Sequence, residues 1–108
     1  MEIQHYVTTQ GVDIFSTWFM ALRDKTAKVA IERRLLRIEG GNLGPARALR
    51  QGVWEIKIDL GPGYRIYYAQ SGQTIILLLC AGDKSSQDAD IERAADHWKD
   101  YQQRLRSF

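Results

Sequence analysis

Between Trp54 and Lys84 the chain gathers cationic, carboxylate and phenolic side chains at strand spacing. Glu55, Lys57 and Asp59 alternate with Trp54, Ile56, Ile58 and Leu60; Arg65 and Tyr67 alternate with Tyr64, Ile66 and Tyr68. A period of two puts each set on its own face. Folding the two segments back on each other at Gly61-Pro62-Gly63, strong turn chemistry, lands the polar sets on one face, with Lys84 arriving from the end of the next strand. Lysine and arginine together neutralise a phosphate or carboxylate, and lysine, glutamate and tyrosine can move protons. The same residue types on a sheet face also describe cross-strand ion pairs in solvent. On pattern alone both readings stay open.

Other chemistries find less support. His5 and His97 have no partners at metal-ligand spacing, and one cysteine makes neither an internal disulfide nor a Cys-rich zinc site. His97 is expected on a helix surface. Cys80 lies in the most apolar segment and is expected to be a buried, inert thiol. The segment Gly61-Pro62-Gly63 lacks the GxxxxGK[ST] pattern of a phosphate-binding loop. Trp18, Trp54 and Trp98 fall on apolar stripes and are expected in the core.

The elements needed to hold the polar set follow from periodicity. Glu2 to Thr8 alternates weakly and predicts a short strand. Ile14, Trp18 and Leu22, with Phe15 and Phe19, predict a helix over about Gln10 to Arg23. Asp24 is placed to cap a second helix from Lys25 to about Glu39, with Ala27, Ile31, Leu35 and Ile38 as its apolar stripe and Arg33, Arg34 and Arg37 off it. Gly40-Gly41-Asn42 ends it. A loop from Asn42 to Gly52 carries Arg47 and Arg50. Thr74 to Ala81 is apolar on both faces, as in a strand covered on both sides. Ser86 or Asp88 can cap a last helix to about Arg104, with Ile91, Ala94, Ala95, Trp98 and Leu105 facing inward and Tyr101 close by. The order β-α-α-β-β-β-α is that of an α+β domain with helices packed on an antiparallel-rich sheet, one domain over residues 1–108.

With 108 residues the chain supports one core without staples. Its longest apolar run, Ile75 to Ala81, is far short of the roughly 20 residues of a membrane span. The opening residues carry no basic n-region or apolar h-region, so a cytoplasmic protein without membrane contact is expected. The net charge of +2 diagnoses nothing, but its distribution is uneven. Arg23 to Arg50 holds eight Lys/Arg against three Asp/Glu, and Asp83 to Asp100 holds six acids against three bases. Either an anionic partner for the first region or two solvated helix faces accounts for this.

Several stretches together resemble a known family: Gly52-Val53-Trp54-Glu55-Ile56-Lys57-Ile58, Gly61-Pro62-Gly63-Tyr64-Arg65-Ile66-Tyr67-Tyr68, Leu78 through Gln87 with its Gly-Asp-Lys-Ser-x-Gln core, then Asp90-Ile91 and Ala94. They look like the HigB-like addiction module killer protein branch of the RelE/ParE toxin superfamily. The likeness covers nearly the whole chain and implies the RelE/ParE-like fold. It implies a type II toxin neutralised by a helix-turn-helix antitoxin of the HigA type, with operator DNA bound only through that antitoxin. It further implies a ribosome-dependent endoribonuclease that cuts mRNA without a metal or other cofactor, the 2′-hydroxyl attacking the adjacent phosphate. In that alignment Lys57 falls on the base, Arg65 on the contact to the scissile phosphate and Lys84 on the second cation. Glu55, where RelE has a lysine, is a further catalytic candidate. Tyr67, Gln87, Arg47 and Arg50 are the expected substrate contacts. Ser85, Ser86 and Gln87 stand where RelE-like enzymes carry a base-stacking tyrosine. ParE relatives of the same fold act on DNA gyrase without nuclease residues, and a degenerate toxin serving only as its antitoxin's co-repressor is a further alternative.

Overall fold

A computed structural model describes residues 1–107. Its elements run β1 (Glu2–His5), α1 (Ile14–Ala21), α2 (Lys25–Glu39), β2 (Arg47–Ala48), β3 (Trp54–Ile58), β4 (Tyr64–Ser71), β5 (Ile75–Gly82), a single 3-10 turn (Lys84–Ser86) and α3 (Gln87–Arg106). One five-stranded sheet has the order β1-β5-β4-β3-β2. The β1–β5 pair is parallel and the other three pairs are antiparallel. The chain is therefore an α+β domain, as the periodicity predicts. No helix among the described residues is long and apolar enough to cross a membrane.

Local chemistry accounts for the helix limits. Asp24 takes the N-cap of α2 and its carboxylate accepts the Ala27 N–H, while Asp13 does the same for α1 through Ser16 N–H. The first helix is thus shorter than the expected span, because Asp13 caps it so that it begins at Ile14, four residues after the expected start. The strand at the N-terminus is also shorter, ending at His5, with Val7 making a single bridge to Asp13. The expected loop from Asn42 to Gly52 contains the edge strand β2, so the element order gains a strand. The last helix runs two residues past Arg104.

The sheet has a core on each face. Ile56, Ile58, Ile66, Tyr68, Ile76 and Leu78 pack with Phe15, Ala27, Ile31 and Ile38 of α1 and α2. Val53, Tyr67, Ala69, Leu77, Leu79 and Cys80 pack with Ala94 and Ala95 of α3. A bulge tunes this division: Tyr67 pairs with Cys80 but Tyr68 with Leu78, leaving Leu79 as the extra residue, so Leu79 and Cys80 both meet α3.

Three packing expectations are corrected. Trp54 is not core: it is 38% exposed at the sheet margin, stacked on Tyr68. Leu105, expected on the inner stripe of α3, is 51% exposed. His97 is not a free surface residue; it stacks on Tyr6 at 4.5 Å, and burial lowers its pKa, with Arg93 adding to the effect. Tyr6 also donates to Asp100 at 2.6 Å and lies under Arg104, tying α3 to the chain just after β1.

Candidate anion site at the β3–β4 hairpin

Strand register assembles the site. Lys57 stands opposite Arg65, and Arg65 stands opposite Gly82, so one row across three strands ends two residues short of Lys84. The turn between β3 and β4 closes with Gly63 N–H donating to Leu60 C=O at 2.9 Å, and Gly61 and Gly63 take φ of 51° and 78°, which suits residues without a Cβ. Lys57, Arg65 and Lys84 line one open depression of about 340 Å³ with Asp59, Leu60 and the Gly61–Gly63 turn. Lys57 and Lys84 are exposed; Arg65, 6% exposed, forms the floor. Asp59 pairs with Lys57 at 3.4 Å, with both side chains in solvent, which makes the pair weak.

The floor is held from beneath. Arg65 Nη1 donates to Gly63 C=O at 2.8 Å. Its Nε lies 3.3 Å from Glu55 Oε1, in ion-pair range but outside hydrogen-bond alignment. The other carboxylate oxygen of Glu55 accepts from Gln87 Nε2 of α3 at 3.4 Å. Glu55 is 5% exposed, so this is a buried pair rather than one on a solvated face.

The expected face is accordingly divided. The structure unites Lys57, Arg65 and Lys84 and places Glu55 and Gln87 behind them. Arg47, opposite Glu55 in register, lines an adjoining depression of about 200 Å³ with Pro45, Ala46, Glu55 and Lys57. Arg50 lies elsewhere, in a groove with Leu49, Asp88, Ile91 and Glu92. The placement of Tyr67 is corrected. Its side chain is fully buried beneath α3 and its hydroxyl has no hydrogen-bond partner among the described residues. Desolvation, with Glu55 and Asp90 adding negative charge, pushes its pKa well above the usual phenol range. No bound substrate can reach it without moving α3. The sequence carried a signal for this: β5 is apolar on both faces, which requires a second layer over the neighbouring strand as well.

Two further groups shape the surroundings. Arg34, expected to lie off the buried stripe with Arg33 and Arg37, instead donates to Leu43 C=O at 3.3 Å and to Pro45 C=O, strapping down the segment before Arg47. Arg33 and Arg37 are exposed. Asp90, for which periodicity and spacing give no role, is 1% exposed and accepts from Ser86 Oγ at 2.6 Å. Cys80 is buried as expected, and burial pushes its thiol up to about 12.

No known family model matches the chain. It is 40% identical over 80 residues to an uncharacterized protein of Haemophilus influenzae, an overlap of 74% of this chain and 81% of that one.

Proposed function

This chain belongs to one family with that Haemophilus influenzae protein, and we propose that it is the toxin of a type II toxin–antitoxin pair, a ribosome-dependent mRNA endoribonuclease of RelE/ParE-like fold. The observation that carries this reading is the meeting of Lys57, Arg65 and Lys84 on one open depression. Three basic side chains from three consecutive parts of the chain suit a phosphodiester better than a small neutral ligand.

The reaction requires no outside nucleophile. The 2′-oxygen of the substrate attacks the adjacent phosphorus, its proton passes to Lys57 reacting as the neutral amine, and the P–O5′ bond breaks. Lys84 delivers a proton to the departing 5′-oxygen, leaving a 2′,3′-cyclic phosphate on one fragment and a 5′-hydroxyl on the other. Arg65 faces the charge that develops on the phosphorane, the role for which preorganised donors are most effective. Glu55 has one oxygen toward Arg65 and the other toward Gln87, so it supports the arginine rather than acting as base. The depression is shallow and open, which makes the ribosome the source of substrate positioning. Exposed Arg33 and Arg37 on α2 offer an electrostatic contact for a helix-turn-helix antitoxin of the HigA type, through which operator DNA would be reached.

The test is cleavage of an A-site mRNA on programmed ribosomes by purified protein, with end-group analysis. Wild-type protein is expected to give a 2′,3′-cyclic end that naked RNA does not yield, and Lys57→Ala and Lys84→Ala to slow its formation by about 10²–10⁴-fold while leaving a measurable residual rate. Intact transcripts with a DNA-damage response on induction would replace this reading by a gyrase-directed toxin.

A further inference from the structure

The buried carboxylate of Asp90 has no part in the chemistry above, yet it occupies the joint on which Lys84 depends. Its Oδ2 accepts from Ser86 Oγ at 2.6 Å, its other oxygen pairs with Arg93, and its backbone C=O accepts from Cys80 Sγ at 3.3 Å. The carboxylate lies directly on the Cα of Gly82, so close that any Cβ there would overlap it. Gly82 is in turn the register partner of Arg65. A buried carboxylate is costly unless it is bonded; this one spends its bonds fastening the first turn of α3 to the end of β5.

We infer that Asp90 is a positioning residue for Lys84. Only Asp83, Lys84 and Ser85 separate Gly82, fixed in the sheet beside Arg65, from Ser86, fixed on Asp90. A five-residue span pinned at both ends has little freedom, and within it Asp83 caps the turn by accepting from Ser85 N–H at 2.9 Å. Lys84, at the midpoint, is thereby held over the depression whose floor is Arg65. The lysine side chain is exposed, but its point of attachment is held at both ends. This inference rests on the nuclease reading for what Lys84 does, and on the geometry alone for what holds it.

Two measurements on the purified full chain separate those parts. Backbone order parameters from amide relaxation are expected to fall over residues 83–86 in Asp90→Ala and in the milder Ser86→Ala, with the sheet unchanged. Asp90→Asn, whose amide oxygen still accepts from Ser86, is expected to restore them. Unchanged order at 83–86 in both Asp90→Ala and Ser86→Ala overturns the inference. On programmed ribosomes Asp90→Ala is expected to lower kcat about 10- to 100-fold, the usual consequence of misplacing a group by about 1 Å, and to add nothing in a Lys84→Ala background. Equal losses in both backgrounds mean that Asp90 acts on stability alone and also overturn it. Absence of cleavage by the wild-type protein overturns the nuclease reading instead, and the order parameters then decide the positioning claim by themselves.

Discussion

Lys57 and Arg65 are register partners across the antiparallel β3–β4 pair, one exposed and the other on the floor of the same depression. The arrangement divides labour between a cation free to reach a substrate and a cation fixed by Gly63 C=O and Glu55. Arg65→Lys keeps the charge but loses the planar fork. It is expected to fold normally and to lower single-turnover cleavage on ribosomes by about 10²–10³, the effect of removing a preorganised donor. A wild-type rate in a folded Arg65→Lys protein would remove Arg65 from the transition state.

Glu55 and Arg65 stand or fall together in stability. Glu55→Ala leaves a buried guanidinium without its carboxylate and is expected to cost roughly 3–5 kcal/mol in urea unfolding. Replacing both partners, as in Glu55→Gln with Arg65→Met, is expected to recover most of that loss while cleavage stays absent. Unfolding curves for the single and double variants check this; a double variant as unstable as Glu55→Ala would contradict it.

Tyr67 separates burial from substrate contact. Its hydroxyl is buried without a partner among the described residues, so Tyr67→Phe removes an unsatisfied group and keeps the ring. The variant is expected to be neutral or more stable by about 1 kcal/mol and to cleave as wild type does. A selective rise in KM would show that the hydroxyl reaches substrate after all.

The Cys80 thiol, pushed up to about 12 by burial, holds almost no thiolate at pH 8. Native protein is expected to resist a thiol-specific aromatic disulfide, with reaction appearing only on unfolding. Rapid labelling of the folded protein would mean that α3 lifts from the sheet readily.

On α2 the arginines separate by contact. Reversing Arg33 and Arg37 to glutamate is expected to weaken antitoxin binding in a salt-dependent way without changing the melting temperature. Arg34→Glu is expected to destabilise the fold, because Arg34 holds Leu43 and Pro45. Equal antitoxin affinity for the Arg33/Arg37 variant at low and moderate salt would place the electrostatic contact elsewhere.

Short-range pattern determined the parts of this protein that short-range physics governs. The limits of α2 at Lys25 and Glu39, the hairpin at Gly61-Pro62-Gly63 and the alternation that sets Lys57 and Arg65 on one face were all legible, because capping, turn chemistry and the two-residue period act within a few positions. What covers that face was decided only by the tertiary structure. Period two assigns Glu55, Arg65 and Tyr67 to one side of the sheet but does not say whether α3, which begins twenty residues after Tyr67, lies over them. Its docking buries Tyr67, turns Glu55 and Arg65 into an internal pair and leaves Lys57 and Lys84 exposed beside them. The bulge at Leu79, the Arg34 strap and the Asp90 joint belong to the same class: each depends on where two distant segments meet in space, and no periodicity within either segment encodes that meeting.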